Sequence, residues 1–111
     1  TFWPKEKQRV LLVSGIGRPS SFEALVQLQS NVEIVDHLIF PDHHKFSMAD
    51  VVRSEQLAQE LSCQNILCTQ KDMGKLEKWV KKTDQWFYLD LQLKLVGNIE
   101  SFYEKVVQLV S

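Results

Sequence analysis

The stretch RVLLVSG, residues 9–15, decides the fold of this chain. It is a short run of aliphatic side chains that ends at a serine and a glycine. A run that is apolar at nearly every position is typical of a strand whose two faces are both covered, as in a parallel sheet. We therefore predict that residues 9–15 form a central strand.

Strand-like and helical segments alternate after this run. The further predicted strands are residues 32–40, 65–69 and 86–89. Asp36 and His37 interrupt the first of them and predict a bend or an edge position. Each predicted helix begins at a residue whose side chain can cap it, and these caps are Ser20, Ser47, Asp72 and Asn98. Ser20 and Glu23 have the Ser-x-x-Glu form of a capping box, which predicts a helix to about Ser30.

The order β-α-β-α-β-α-β-α predicts an α/β fold. We expect residues 1–111 to form a single small Rossmann-like domain, with a mostly parallel sheet of about four strands and helices on its faces. In such sheets ligands bind beyond the carboxyl ends of the strands. The turns at residues 15–19, 41–46 and 69–72 should therefore be neighbours in space.

Composition excludes several classes of protein. Thirteen basic and fourteen acidic residues give a net charge of −1, and no basic block is present, so we expect no nucleic-acid partner. The two cysteines, Cys63 and Cys68, do not form a disulfide framework or a CxxC motif, which favours a reducing, intracellular compartment. No apolar run reaches the ~18 residues of a membrane span.

The turn after the first strand contains Gly15 and Gly17, which would let backbone amides approach an anion. Ser20 stands where the third glycine of a dinucleotide fingerprint belongs, so an ordinary strand-to-helix turn is the simpler interpretation. The chain also contains no G-x-x-x-x-G-K-[ST] phosphate loop. A freestanding Rossmann-like module that binds an anion or nucleotide without catalysis remains the alternative.

The turn after the second strand contains Asp42, His43 and His44. A carboxylate beside an imidazole can fix its tautomer and raise its basicity, so this cluster predicts proton chemistry. The histidines, His37 included, lack the ligand spacing of a zinc site, and we expect no metal site. The simpler alternative is that Asp42 and His44 cap the Ser47 helix or stay solvated.

The turn after the third strand contains Lys71, which could meet a phosphate as a point charge, and Asp72, which could cap the next helix. Lysines 71, 75, 78 and 82 recur at helical spacing. A solvated helix face is the simpler interpretation of this stripe. The alternative is a scaffold domain that contacts an anionic membrane surface through Lys75, Lys78 and Lys82.

Four motifs together resemble the carboxyl-terminal portion of the tetraacyldisaccharide 4'-kinases, which act in lipid A and lipopolysaccharide biosynthesis in Gram-negative bacteria. They are GIGRP at residues 15–19, FPDHHKF at 40–46, TQKD at 69–72 and WFYL at 86–89. Gln70 departs from the glutamate usual in the third motif, and Arg18 stands where asparagine is common.

The resemblance implies ATP-dependent phosphorylation of the 4'-hydroxyl of the lipid A disaccharide precursor, in the cytoplasm at the inner membrane. It implies that ATP and Mg²⁺ are bound mainly by an amino-terminal P-loop domain outside this chain, which would be the chain's partner. His43 would pair with an acidic base of that domain, with Asp42 beside it. Gly15, Gly17 and Lys71 would lie near the phosphates. We expect this chain alone to be inactive and to hold no cofactor tightly.

Overall fold

A computed structural model describes residues 6–28, 31–82 and 84–89. The elements in chain order are β1 (Gln8–Ser14), α1 (Pro19–Gln27), β2 (Val32–Ile39), α2 (Met48–Glu60), β3 (Asn65–Thr69), α3 (Gln70–Leu76) and β4 (Trp86–Leu89). The strands form one parallel sheet in the order β2-β1-β3-β4. The predicted α/β class and parallel sheet are confirmed, and β1 is central as expected.

The side chains of β1 alternate between two core layers. Val10 and Leu12 pack with α1 on one face of the sheet. Leu11 and Val13 pack with α2 and α3 on the other face. All four are fully buried, which explains why the run is apolar at successive positions rather than at alternate ones.

The strand β2 lies at one edge of the sheet and contains an irregularity. Val10 pairs with Ile34, and Leu11 pairs with Asp36, so the register skips one residue of β2 at this point. The predicted edge position of Asp36 and His37 is confirmed, and the register shift lies next to Asp36.

The strand order places a crevice next to β1. The chain passes from β1 to the edge strand β2, and then returns to form β3 on the other side of β1. In open parallel sheets, ligands bind where the order reverses in this way, beyond the carboxyl ends of the two central strands. The turns that follow β1 and β3 border this crevice.

The helix starts match the prediction in one case and not in another. Ser47 caps α2, and its side chain accepts the backbone N–H of Asp50 as expected. The predicted cap at Ser20 is wrong, because the cap position of α1 is Arg18, two residues earlier, and Arg18 makes no side-chain cap hydrogen bond. Pro19 has the fixed φ that suits the first helical position, so Ser20 lies inside the first turn.

The predicted cap at Asp72 is also wrong. Thr69, the last residue of β3, caps α3, and its side chain accepts the backbone N–H of Asp72. The strand runs directly into the helix, so the cap falls on the strand residue and Asp72 lies in the first turn. Because α3 ends at Leu76, Lys78 and Lys82 lie beyond the helix. The predicted helix that starts at Asn98 lies outside the described residues.

Candidate functional site

The three turns meet at one rim of the sheet, as predicted, and Asp42 lies at their junction. One oxygen of its carboxylate, Oδ1, is 3.9 Å from the ammonium of Lys71. The other oxygen, Oδ2, would be 3.2 Å from a Cβ atom at Gly17. Asp42 in the second turn therefore contacts both the first and the third turn.

His43 lies beside Asp42 on the surface. Its Nε2 atom is 3.6 Å from Asp42 Oδ2, and 76% of its side chain is exposed to solvent. Its backbone is left-handed, with φ of 63°. This conformation is uncommon outside glycine, although Asn, Asp and His adopt it more readily than other residues. The imidazole is thus accessible, and a carboxylate next to it can orient it.

His44, the neighbouring histidine, has a structural position. Its ring stacks on Phe40 with a centroid distance of 4.6 Å, and its Nε2 lies 2.9 Å from Asp50 Oδ2. Asp50 also accepts the backbone N–H of Ser47 at the start of α2. Burial raises the pKa of Asp50, but hydrogen bonds from His44 and Ser47 outweigh burial and leave the pKa below its usual value. His44 thus stabilises the start of α2, as the simpler alternative proposed.

Gly15 lies in a tightly packed part of the first turn. A Cβ atom at this position would lie 3.2 Å from the Pro41 carbonyl oxygen and 3.3 Å from the Phe46 ring. The amide of Gly15 does not face an open site, because it donates a hydrogen bond of 2.9 Å to Asp72 Oδ2. This amide is therefore already used within the protein and is not free to bind an anion.

A second polar cluster was not anticipated from the sequence. His37 Nδ1 is 2.6 Å from Glu23 Oε2, and His37 Nε2 is 2.7 Å from Ser14 Oγ. Because a carboxylate only accepts, Nδ1 donates to Glu23, and Nε2 of a neutral ring accepts from the Ser14 hydroxyl. The order resembles a hydrolase triad, but Ser14 is fully buried, so no substrate can reach its hydroxyl. The cluster ties β1, β2 and α1 together.

The two cysteine thiols are not suited to act as nucleophiles. Burial raises the pKa of both thiols, most of all for Cys68, where the charge of Asp72 adds to the effect. Thiols held protonated in this way are poor nucleophiles. Within residues 6–28, 31–82 and 84–89, no group of three His, Cys, Asp or Glu side chains could hold a metal ion. In the same ranges, no helix is long and apolar enough to cross a membrane.

Comparison with known proteins supports the resemblance in the sequence. The family model described as Tetraacyldisaccharide-1-P 4'-kinase matches residues 3–111. The chain belongs to this kinase family. Among its relatives, a tetraacyldisaccharide 4'-kinase of Shewanella woodyi is 31% identical over 105 residues, covering 94% of this chain and 28% of the relative.

A second such kinase, from Flavobacterium psychrophilum, is 31% identical over 100 residues, covering 90% of this chain and 27% of the relative. A third, from Francisella tularensis subsp. novicida, is 31% identical over 88 residues, covering 79% of the chain and 24% of the relative. The chain thus spans only about a quarter of the length of these curated relatives. No solved structure matches it.

Proposed function

We propose that this chain is the carboxyl-terminal domain of a tetraacyldisaccharide 4'-kinase. The whole enzyme would transfer a phosphoryl group from ATP to the 4'-hydroxyl of the lipid A disaccharide precursor. Membership of the kinase family supports the proposal, and so does the fraction of its relatives that the chain covers. The P-loop domain that completes the enzyme would be supplied by another part of the full-length protein.

The observation that carries the proposal is the position of Asp42 and His43 at the rim. The exposed imidazole of His43 is 3.6 Å from Asp42 Oδ2, at the end of the sheet where ligands of parallel α/β folds bind. A domain that docks on this rim could place an acidic base against the imidazole. His43 would then orient that base and tune its proton affinity, which suits a reaction that depends on positioning and electrostatics.

We assign ATP and Mg²⁺ to the P-loop domain and not to this chain. The Gly15 N–H already donates a hydrogen bond to Asp72. The carboxylate of Asp42 lies against Gly17, and its negative charge would repel a phosphate bound there. Lys71 is the basic group near Asp42, and its ammonium is shared with that carboxylate. These contacts occupy the amide and the ammonium that a nucleotide phosphate would need at this rim, which supports the assignment. This argues against the alternative of a freestanding anion- or nucleotide-binding module.

The test is made in the full-length kinase that contains this chain. We choose His43→Asn rather than His43→Ala, because asparagine tolerates the left-handed backbone at this position. Loss of the group that orients the base should lower kcat by about 10²-fold and leave the KM for ATP within about threefold. Lys45→Ala, a change at an exposed residue of the same turn, is the matched control.

Two results would contradict the proposal. Turnover of His43→Asn equal to that of Lys45→Ala would remove His43 from the chemistry. Calorimetric binding of ATP or NAD by this chain alone would favour the freestanding module instead.

We also propose that the domain lies against the inner membrane through Lys75, Lys78 and Lys82. Lys75 is in the last turn of α3, and the Lys78 ammonium lies 5.2 Å from the centre of the Trp79 ring. Binding to vesicles that contain anionic phospholipid should weaken when the three lysines are changed to glutamate, and should weaken with added salt. Vesicle binding that is unaffected by the three changes would refute this contact.

A further inference from the structure

A buried carboxylate bridges the crevice where the strand order reverses. Asp72 is completely buried, and its Oδ2 atom accepts two hydrogen bonds. One comes from the backbone N–H of Gly15, after β1, at 2.9 Å. The other comes from the hydroxyl of Thr69, at the end of β3, also at 2.9 Å. A single oxygen therefore holds together the two turns that border the crevice.

The two hydrogen bonds do not require the negative charge of Asp72. The second oxygen, Oδ1, is buried and has no hydrogen-bond partner among the described residues. A buried carboxylate with one unpaired oxygen is costly, because it loses the water that would solvate it. Asparagine has the same shape and could accept both hydrogen bonds without a buried charge. The two hydrogen bonds, and what they position, are therefore the features to explain.

The contacts of Asp72 lead back to the proposed site by two routes. Through Gly15, it holds a backbone segment that packs against the Pro41 carbonyl, next to Asp42. Asp72 is also covalently next to Lys71 in the chain, and the ammonium of Lys71 is 3.9 Å from Asp42 Oδ1. These contacts form a closed ring of Asp72, Gly15, Pro41, Asp42 and Lys71.

We infer that Asp72 is a positioning residue that holds the three turns in register, so that Asp42 and His43 stay in place at the rim. The inference rests on the function proposed above. Asp72 itself is buried and touches no substrate, so it acts only through Gly15, Thr69 and the chain leading to Lys71. A misplacement of about 1 Å at a distance from the chemistry can cost about 10²-fold in rate, which makes such a link measurable.

The experiment compares Asp72→Ala with Asp72→Asn in the full-length kinase. Alanine removes both hydrogen bonds, and we expect kcat to fall by about 10–100-fold with the KM for ATP within about threefold. Asparagine keeps an acceptor oxygen for both donors, and we expect its kcat to stay within about threefold of the parent. An asparagine variant as impaired as the alanine variant would overturn the inference, because the charge would then be what matters.

Two further variants separate positioning from a general loss of stability. Asn65→Ala removes a buried side chain that donates to Gln8 at the opposite end of β3, so it should lower thermal stability without lowering kcat. Thr69→Val removes the hydroxyl that both donates to the Asp72 carboxylate and caps α3, and it leaves the carboxylate in place, so it remains informative if Asp72→Ala does not fold. We expect Thr69→Val to lower kcat by about 3–10-fold. A parental kcat in Thr69→Val, or an equal loss in Asn65→Ala, would refute positioning.

A double-mutant cycle with Asp42→Asn tests whether Asp72 affects turnover through Asp42. If Asp72 acts through Asp42, Asp72→Ala should lower kcat much less in the Asp42→Asn background than in the parent. Effects that multiply independently would overturn the inference. The proposed function fails separately, through His43→Asn with parental turnover. A low turnover of His43→Asn, combined with parental behaviour of Asp72→Ala, would leave that function standing and remove only the role of Asp72.

Discussion

The same chemical change at two glycines should alter stability in opposite directions. In Gly15→Ala, the new methyl group would meet the Pro41 carbonyl oxygen at 3.2 Å, the Phe46 ring at 3.3 Å and His44 Cβ at 3.4 Å. These contacts are tight, and the carbonyl belongs to the backbone, so the turn must move. In Gly74→Ala, the methyl group would meet nothing within 4 Å, and the residue lies inside α3.

These contacts set the expected changes in the free energy of unfolding. Overpacking costs about 1–3 kcal/mol, and the lower entropy of the unfolded alanine chain returns about 0.4–1 kcal/mol. We therefore expect Gly15→Ala to lower the free energy of unfolding by about 0.5–2 kcal/mol. Gly74→Ala should raise it by about 0.5–1 kcal/mol, because glycine is unfavourable within a helix.

The assay is urea unfolding of the chain, followed by the fluorescence of its tryptophans, of which Trp86 is buried in the core. With an m-value of about 2 kcal/mol/M, the two variants should differ in midpoint by about 0.5–1.5 M urea. Equal midpoints, or a Gly15→Ala protein more stable than Gly74→Ala, would show that the first turn can accommodate the methyl group without strain.

Three further predictions concern the rim and its supports. In Gly17→Ala, the new methyl group would lie 3.2 Å from the Asp42 carboxylate. Because this side chain can rotate away, the urea midpoint of the chain should change little. The turnover of the full-length kinase should fall, because Asp42 would be displaced from the rim. His37→Ala leaves the buried Ser14 hydroxyl without its 2.7 Å partner and should cost about 2–4 kcal/mol in the same unfolding assay. A loss below about 0.5 kcal/mol would contradict that role. The pKa of Asp50 is lower in the folded protein than its usual value of 3.8, so the ionised carboxylate stabilises the folded state above pH 3.8. The stability advantage of the parent over Asp50→Asn should therefore disappear as the pH falls below 3.8. Urea unfolding at several pH values measures this change.

The helix caps show how far local sequence signals reach. Ser47 and Asp50 form a full capping box, and His44 binds the same Asp50 oxygen without displacing the Ser47 N–H. Ser20 and Glu23 have a similar pattern and do not form one. Pro19 starts the helix earlier, and the carboxylate of Glu23 is bound by His37, which is distant in sequence.

The candidate site was likewise predictable from the sequence only in part. The meeting of the three turns was predictable, since parallel strands bring their carboxyl ends to one edge of the sheet. The division of labour between His43 and His44 was not. Both follow Asp42 in the sequence, but the ring of His44 stacks on Phe40 and binds Asp50, whereas the ring of His43 faces solvent. Aromatic packing of His44 against Phe40 and Phe46 within the same turn, together with its contact to Asp50 in α2, made that choice.

The amino-acid sequence by itself determined the strands, their approximate limits, the central place of β1 and the kinase family. These properties depend on hydrophobic patterning and on short motifs, which act over a few neighbouring residues. Only the tertiary structure decided that Asp72 would bridge Gly15 and Thr69, and that Ser14 and Glu23 would enclose His37. Thr69 and Asp72 are neighbours at the start of α3, but the links from Asp72 to Gly15 and from His37 to Ser14 and Glu23 join residues that are distant in sequence. These links exist only after the sheet order has brought the residues together.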